Sequence, residues 1–298
     1  VARTAKPAPK HAPAKKTAKK HAPAKKAAAK KTAKAGRAAA RTSPSRTAQR
    51  RRAPAKAKNP TGFHGRLGLL WAIATLPVLL LGPIPLALWM AAHAGLAGIQ
   101  TARSHKGGKR PPPNPLGTGV GAALLALGCA IGWPGAVVGL VLATAVPVVL
   151  PGVLKTETSD PQRTVLLSVA IGAAAGSLVL ARSLGAMPAL VLFALMCAHD
   201  TGNYLIGSGA SSTWEGPAAG VAAMGPVILG AATVAVPPFT ESGVWVLGGI
   251  AAALIPLGPH AASRMVGRRV IRVPALRRLD ALLLAGPVWA LAATLLRR

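Results

Sequence analysis

Nine stretches of nearly unbroken apolar residues dominate residues 61–298, near 66–82, 84–100, 117–132, 134–154, 164–181, 187–206, 217–236, 243–258 and 279–296. Each is about 15–21 residues long, the length a helix needs to cross the hydrocarbon core of a bilayer. The chain therefore reads as an all-α polytopic membrane protein with about nine transmembrane helices. The first two runs are short enough to form one hairpin dipping through the bilayer.

Residues 1–60 are of another kind. They hold 20 of the 36 Lys and Arg and no acid, whereas residues 61–298 hold the other 16 against all six acids. This tail cannot bury enough apolar surface to offset its chain entropy and is expected to be disordered. "KHAPAKKTAK" (10–19) recurs as "KHAPAKKAAAK" (20–30), in a composition similar to linker-histone tails, and its prolines and like charges keep such a segment extended. An anionic membrane surface is the expected partner, at roughly 1 kcal/mol per Lys or Arg near the surface. Nucleic acid is the weaker alternative, since the tail has no aromatic residue to stack on bases. A solvated extension with no partner is the third. No secretory signal opens the chain, because the first apolar run begins near Leu67. Val1 reads as a GUG start codon rendered literally, which points to a bacterial gene.

Loop charge orients the spans. With the tail in the cytoplasm, loops 101–116, 155–163, 207–216 and 259–278 share its side and carry Arg103, Lys106, Lys109, Arg110, Lys155, Arg163, Arg264, Arg268, Arg269, Arg272, Arg277 and Arg278. The opposite loops offer Arg182, and the C-terminal Arg297 and Arg298 are the exception to the positive-inside pattern. The expected location is the inner (plasma) membrane of the cell. Six tryptophans near span ends, Trp71, Trp133 and Trp245 among them, suit interfacial anchoring. Cys129 and Cys197 lie in apolar runs, which predicts buried free thiols rather than a disulfide.

Rare residue types gather at 197–220, "CAHDTGNYLIGSGASSTWEGPAAG", which has two of the six acids and the only tyrosine. Asp200 falls inside a span near its cytoplasmic end, where an ionised carboxylate costs a few kcal/mol unless solvated or paired. Tyr204 follows on the same helical face. Glu215 opens the next helix, a place where a carboxylate also serves as a cap.

"DTGNYLIG" (200–207) followed by "TWEG" (213–216) resembles the phosphatidate cytidylyltransferases, the CDP-diacylglycerol synthases. Their run is Asp-Ser/Thr-x-Ala-Tyr-x-x-Gly, then a segment ending Lys-Thr-Trp-Glu-Gly. The basic, Pro-rich link "KGGKRPPPNP" (106–115) and "RRLDALLLAGPVWALAA" (277–293), similar to the family's Asp-Arg-x-Asp-Ser segment and final helix, extend the likeness over most of 61–298. The departures are specific. "SGASS" (208–212) lacks the family's loop lysine; "GPHAAS" (258–263) has Pro259 and Ala262 where the family has Asp and Glu; and Arg277 replaces the first Asp of Asp-Arg-x-Asp, which leaves Asp280.

The resemblance implies a reaction of CTP with phosphatidate that yields CDP-diacylglycerol and pyrophosphate. Asp200 and Asp280 would be the catalytic pair and would bind Mg2+. Tyr204, Trp214, Glu215, Arg264, Arg268 and Arg269 would line the nucleotide and headgroup site. The missing acids leave a second reading open, a non-catalytic paralogue that grips anionic lipid or a lipid-synthesis partner. A second copy of the chain, as a homodimer, is a further admissible partner. A transporter fits less well, for no inverted repeat is visible and midplane polar residues are scarce.

Overall fold

The computed structural model describes residues 61–298 apart from 106–110, 156–158, 235, 241, 268–272 and 298. The tail and its repeat lie outside the described residues. Among the described residues every regular element is helical: α1 Thr61–Leu81, α2 Pro83–Ser104, α3 Pro115–Gly128, α4 Gly132–Val153, α5 Pro161–Leu184, α6 Ala186–Gly207, α7 Glu215–Val234, α8 Ser242–Leu254, α9 Gly258–Met265 and α10 Leu282–Leu296. Short 3-10 turns extend α3 (Cys129–Ile131), link α8 to α9 (Ile255–Leu257) and precede α10 (Leu276–Arg278).

Each expected apolar run is occupied by helix. Among the described residues, five helical stretches are long and apolar enough to cross a membrane: Pro115–Val153, Pro161–Leu184, Ala186–Gly207, Glu215–Val234 and Ser242–Met265; Leu67–Leu81 and Leu282–Leu296 are shorter apolar helices. The first of the five, 39 residues by hydropathy, is folded in two. Gly132, at φ 75°, turns α3 back into α4, a conformation that a side chain strongly disfavours.

The surface is apolar and the interior is small. Leu69, Leu70, Ile73, Leu80, Val137, Val141, Val148, Leu166 and Leu229 are exposed, while Ala87, Ala94, Ala97, Ala122, Ala126, Ala174 and Ala175 are buried. This is the reverse of a water-soluble bundle and suits a lipid solvent, where helices associate through close backbone packing rather than expulsion of water. The protein is a membrane protein.

Helix α3 lies among α2, α4 and α5, and glycine sets each approach. A Cβ at Gly98 of α2 would lie 2.9 Å from the Thr118 carbonyl oxygen, one at Gly139 of α4 2.9 Å from the Leu125 Cα, and one at Gly172 of α5 2.9 Å from the Ala122 carbonyl oxygen. The pairings run antiparallel for α2 and α4 and parallel for α5. Pro77, Pro147, Pro151, Pro226 and Pro287 sit inside helices, which neighbouring helices make tolerable in a membrane.

The two ends of the bundle differ. At one end Gly82 (φ 134°) and Gly185 (φ 145°) each turn one helix into the next in a single residue. There the Arg182 Nε–H donates to the Leu79 carbonyl at 2.8 Å, and an Arg297 N–H donates to the Leu184 carbonyl. Both arginines thus satisfy carbonyls left unpaired at helix C-termini. At the other end the connections are long and pack on one another. The Asp160 N–H donates to the Pro112 carbonyl at 3.1 Å, the Gly267 N–H to Ser104 Oγ at 2.8 Å and the Ala275 N–H to Gln100 Oε1 at 3.2 Å.

Three expectations are corrected. The stretch read as loop 259–278 contains α9, where Pro259 at the start of the helix favours helical φ. The last helix begins at Leu282 rather than 279, since the buried Leu276 and Leu279 hold a 3-10 turn first. The tryptophans are not uniformly interfacial. Trp289 is fully buried beside Phe239, Trp71 is half-buried beside Phe193, the Trp133 Nε1–H donates to Thr294 and the Trp89 Nε1–H to Thr75, leaving Trp214 and Trp245 widely exposed. Cys129 is buried, Cys197 half-buried, and both are free thiols.

If glycine sets these approaches, Gly172→Ala should destabilise the fold by about 1–3 kcal/mol through overpacking. Gly225, with no atom within 4 Å of an added Cβ, should tolerate alanine or gain up to about 1 kcal/mol of helix propensity. Thermal unfolding of both variants in detergent checks the pair.

Candidate functional site

The α6–α7 hairpin is built around two glycines of α7. A Cβ at Gly216 would lie 2.4 Å from Asn203 Oδ1, and one at Gly220 2.6 Å from His199 Cδ2. Residues 199 and 203 are one helical turn apart, as are 216 and 220. A bare stripe on α7 therefore receives two polar side chains of α6, Asn203 and His199, as small-xxx-small stripes allow. Gly202 brings the backbones together between them, its Cβ position only 2.6 Å from the Ala219 carbonyl oxygen.

Asp200 stands at the rim of this contact, its side chain 54% exposed. His199, 1% exposed, places Nδ1 3.4 Å from Asp200 Oδ1. Asp280 is held in the turn before α10. Its Oδ1 accepts from the Ala281 N–H at 2.8 Å and its carbonyl from the Leu283 N–H at 3.1 Å. Gly258 permits this placement, since a Cβ there would lie 2.0 Å from the Asp280 carbonyl oxygen.

Burial pushes the Asp280 carboxyl up to about 7, and the Asp200 carboxylate adds to the rise; Arg277 and Arg278 oppose it. Arg278 is itself pulled down by burial and held up by Asp200 and Asp280. Its guanidinium rests on α1, where a Cβ at Gly68 would meet Nη1 at 2.5 Å. Two carboxylates eighty positions apart thus share one electrostatic neighbourhood with two arginines.

The other expected site residues are placed differently. Both Glu215 oxygens are engaged by the adjoining turn: Oε1 accepts from Ser211 Oγ at 2.9 Å and the Ser212 N–H at 3.1 Å, Oε2 from the Ser211 N–H at 3.3 Å. These bonds brace the turn that leads into α7. Tyr204 and Trp214 are exposed, Trp214 to 77%, and their side chains have no hydrogen bond or ion pair among the described residues. Arg264 is exposed on α9. Arg268 and Arg269 lie outside the described residues. The arginines beside the carboxylates are Arg277 and Arg278, and the histidine against Asp200 was not singled out from the sequence. Its only signal there is its place next to an intramembrane acid.

Among the described residues no group of three or more His, Cys, Asp or Glu side chains gathers as a self-sufficient metal site. A half-exposed carboxylate at Asp200 and a buried one at Asp280 are of the donor type magnesium takes, one or two carboxylates with the shell completed by water and substrate phosphates.

The chain matches no protein-family model, no curated protein and no solved structure.

The Asp280 shift makes stability depend on pH. The unfolded chain loses this proton near 3.8 and the fold retains it to about 7. The folded state is thus favoured most below the lower value, and that advantage is lost as pH rises through the upper one. In EDTA, stability should fall by about 2–3 kcal/mol between pH 5 and pH 8. Asp280→Asn should flatten that dependence, as read by thermal unfolding in detergent.

Proposed function

We propose that the chain is a phosphatidate cytidylyltransferase-like protein of phospholipid metabolism, acting at the inner membrane with its basic tail and its carboxylate pair on the cytoplasmic side. The observation that carries this reading is the convergence of Asp200, from the "DTGNYLIG" run, with Asp280, from the "RRLD" run. These are the two places where motif resemblance is most specific, and the charge of Asp200 acts on Asp280 across a gap in sequence that no local structure requires. The cytoplasmic assignment rests on the excess of arginine and lysine in the long connections at that end. Nine crossings follow if each apolar run spans.

The reaction joins two anions: an oxygen of the phosphatidate phosphate forms a bond to the α-phosphorus of CTP, and the bond to pyrophosphate breaks. Asp200 and Asp280 would hold Mg2+, which when bound offsets phosphate charge and aligns the two reactants. Arg277 and Arg278 bring positive charge to the same rim, suited to phosphate oxygens. Asp200 is half-exposed in the last part of α6, where a lipid headgroup and a soluble nucleotide would both reach it. Exposed Tyr204 and Trp214 offer rings at that surface.

One observation favours a second reading, binding without turnover. Gly258 packs on the Asp280 backbone, so "GPHAAS" borders the pair, but it supplies Pro259 and Ala262 where the resembled family has acids. A site with two carboxylates can grip a phosphate headgroup through one cation without aligning a second reactant.

Purified protein given phosphatidate, CTP and Mg2+ should form CDP-diacylglycerol and pyrophosphate, with turnover reduced at least 100-fold by Asp200→Asn, the order expected on losing an electrostatic contact to the reacting phosphates. Absence of turnover in folded protein, with Mg2+-dependent phosphatidate binding that Asp200→Asn abolishes, would establish the second reading. Neither turnover nor binding would reject both.

A further inference from the structure

His199 is a costly residue for its position. It is 1% exposed in the α6–α7 contact, and Nε2 has no hydrogen-bond partner among the described residues. A buried polar atom left unpaired is unfavourable, and packing alone would select an apolar side chain of similar size. The neighbouring helix gives way to it. Gly220 leaves the space the ring fills, for a Cβ there would lie 2.6 Å from Cδ2 and 2.9 Å from Nε2. Successive residues on a helix point about 100° apart and seldom touch through their side chains. Here they do, with Nδ1 3.4 Å from Asp200 Oδ1. The ring is thus buried at one edge and meets the rim carboxylate at the other.

We propose that His199 is a positioning residue: fixed by the Gly220 notch, it donates its Nδ1–H to Asp200 and holds that carboxylate in place at the site shared with Asp280. The inference rests on the functional reading above for the purpose of that carboxylate, but not for the hydrogen bond itself. Donation from Nδ1 accounts for the unpaired Nε2, since a neutral ring that donates at one nitrogen carries a lone pair at the other. The unfavourable lone pair is confined to the helix contact, and the useful proton faces the rim. The arrangement is that of an outer residue orienting a metal-binding carboxylate.

The test has two arms on full-length protein in micelles without added lipid. Nitrogen NMR of 15N-histidine-labelled protein, with the His199 signals identified by their loss in His199→Asn, should show the Nδ1–H tautomer, and Asp200→Asn should shift those signals. Mn2+ titration followed by EPR should then show binding weakened about ten-fold by His199→Leu. In His199→Asn, whose side-chain amide can donate from nearly the position of Nδ1, binding should stay within about three-fold of the wild type. An Nε2–H or doubly protonated ring would overturn the proposal, as would Mn2+ affinity unmoved in His199→Leu or equally reduced in both variants. Mn2+ binding indifferent to Asp200→Asn, with the Nδ1–H signal and its response to that substitution intact, would instead reject the metal reading and leave the His199–Asp200 bond standing.

Discussion

Contact between backbones at glycine is the constraint on which this fold depends. A helix pair in lipid gains nothing from hiding leucine, because the acyl chains are as apolar as the side chain. What remains is dispersion at short range, and its gain is greatest where two backbones meet without a Cβ between them. Gly98, Gly139 and Gly172 bring three helices onto α3 in this way. Many Leu, Val and Ile side chains face outward to the solvent that suits them, while others, with Phe239 and Trp289, fill the interior between the small residues.

The same device makes a polar site affordable within an apolar bundle. Gly216 and Gly220 open a strip on α7 that admits Asn203 and His199 where alanine would collide. Gly258 does so for the turn that carries Asp280. The site is accordingly a set of polar residues seated in glycine gaps at the end of the bundle. Its electrostatics follow from that position: Asp200 remains partly solvated, while Asp280 is buried enough to keep its proton to about 7.

The helices were legible because an apolar run of membrane length admits few structures, and the breaks because glycine and proline punctuate them. Asp200 stood out because acids are rare in such runs. Less legible was what depends on contacts distant in sequence. Nothing local in "RRLD" indicates that Arg278 lies in the field of Asp200, or that position 258 lies against position 280. His199 was passed over because one histidine in an apolar helix resembles any buried ring until its neighbours are known. Trp289 was assigned to an interface by its place near a helix end, yet the bundle closes over it. The short helix α9 was hidden by its charge and by two prolines that, in sequence, read as loop.

The single-residue turns at Gly82 and Gly185 have a bearing on how the chain can vary. A connection with no slack cannot take up an insertion without dragging its two helices out of register, and each register is set by specific glycines. Length can change with least disturbance where the connections are long, which is between α7 and α8 and, for the most part, at the opposite end. That end carries the carboxylates. Most new loops, altered specificity and added partners would therefore arise beside the site, while the single-residue turns at the far end hold their helix pairs in order.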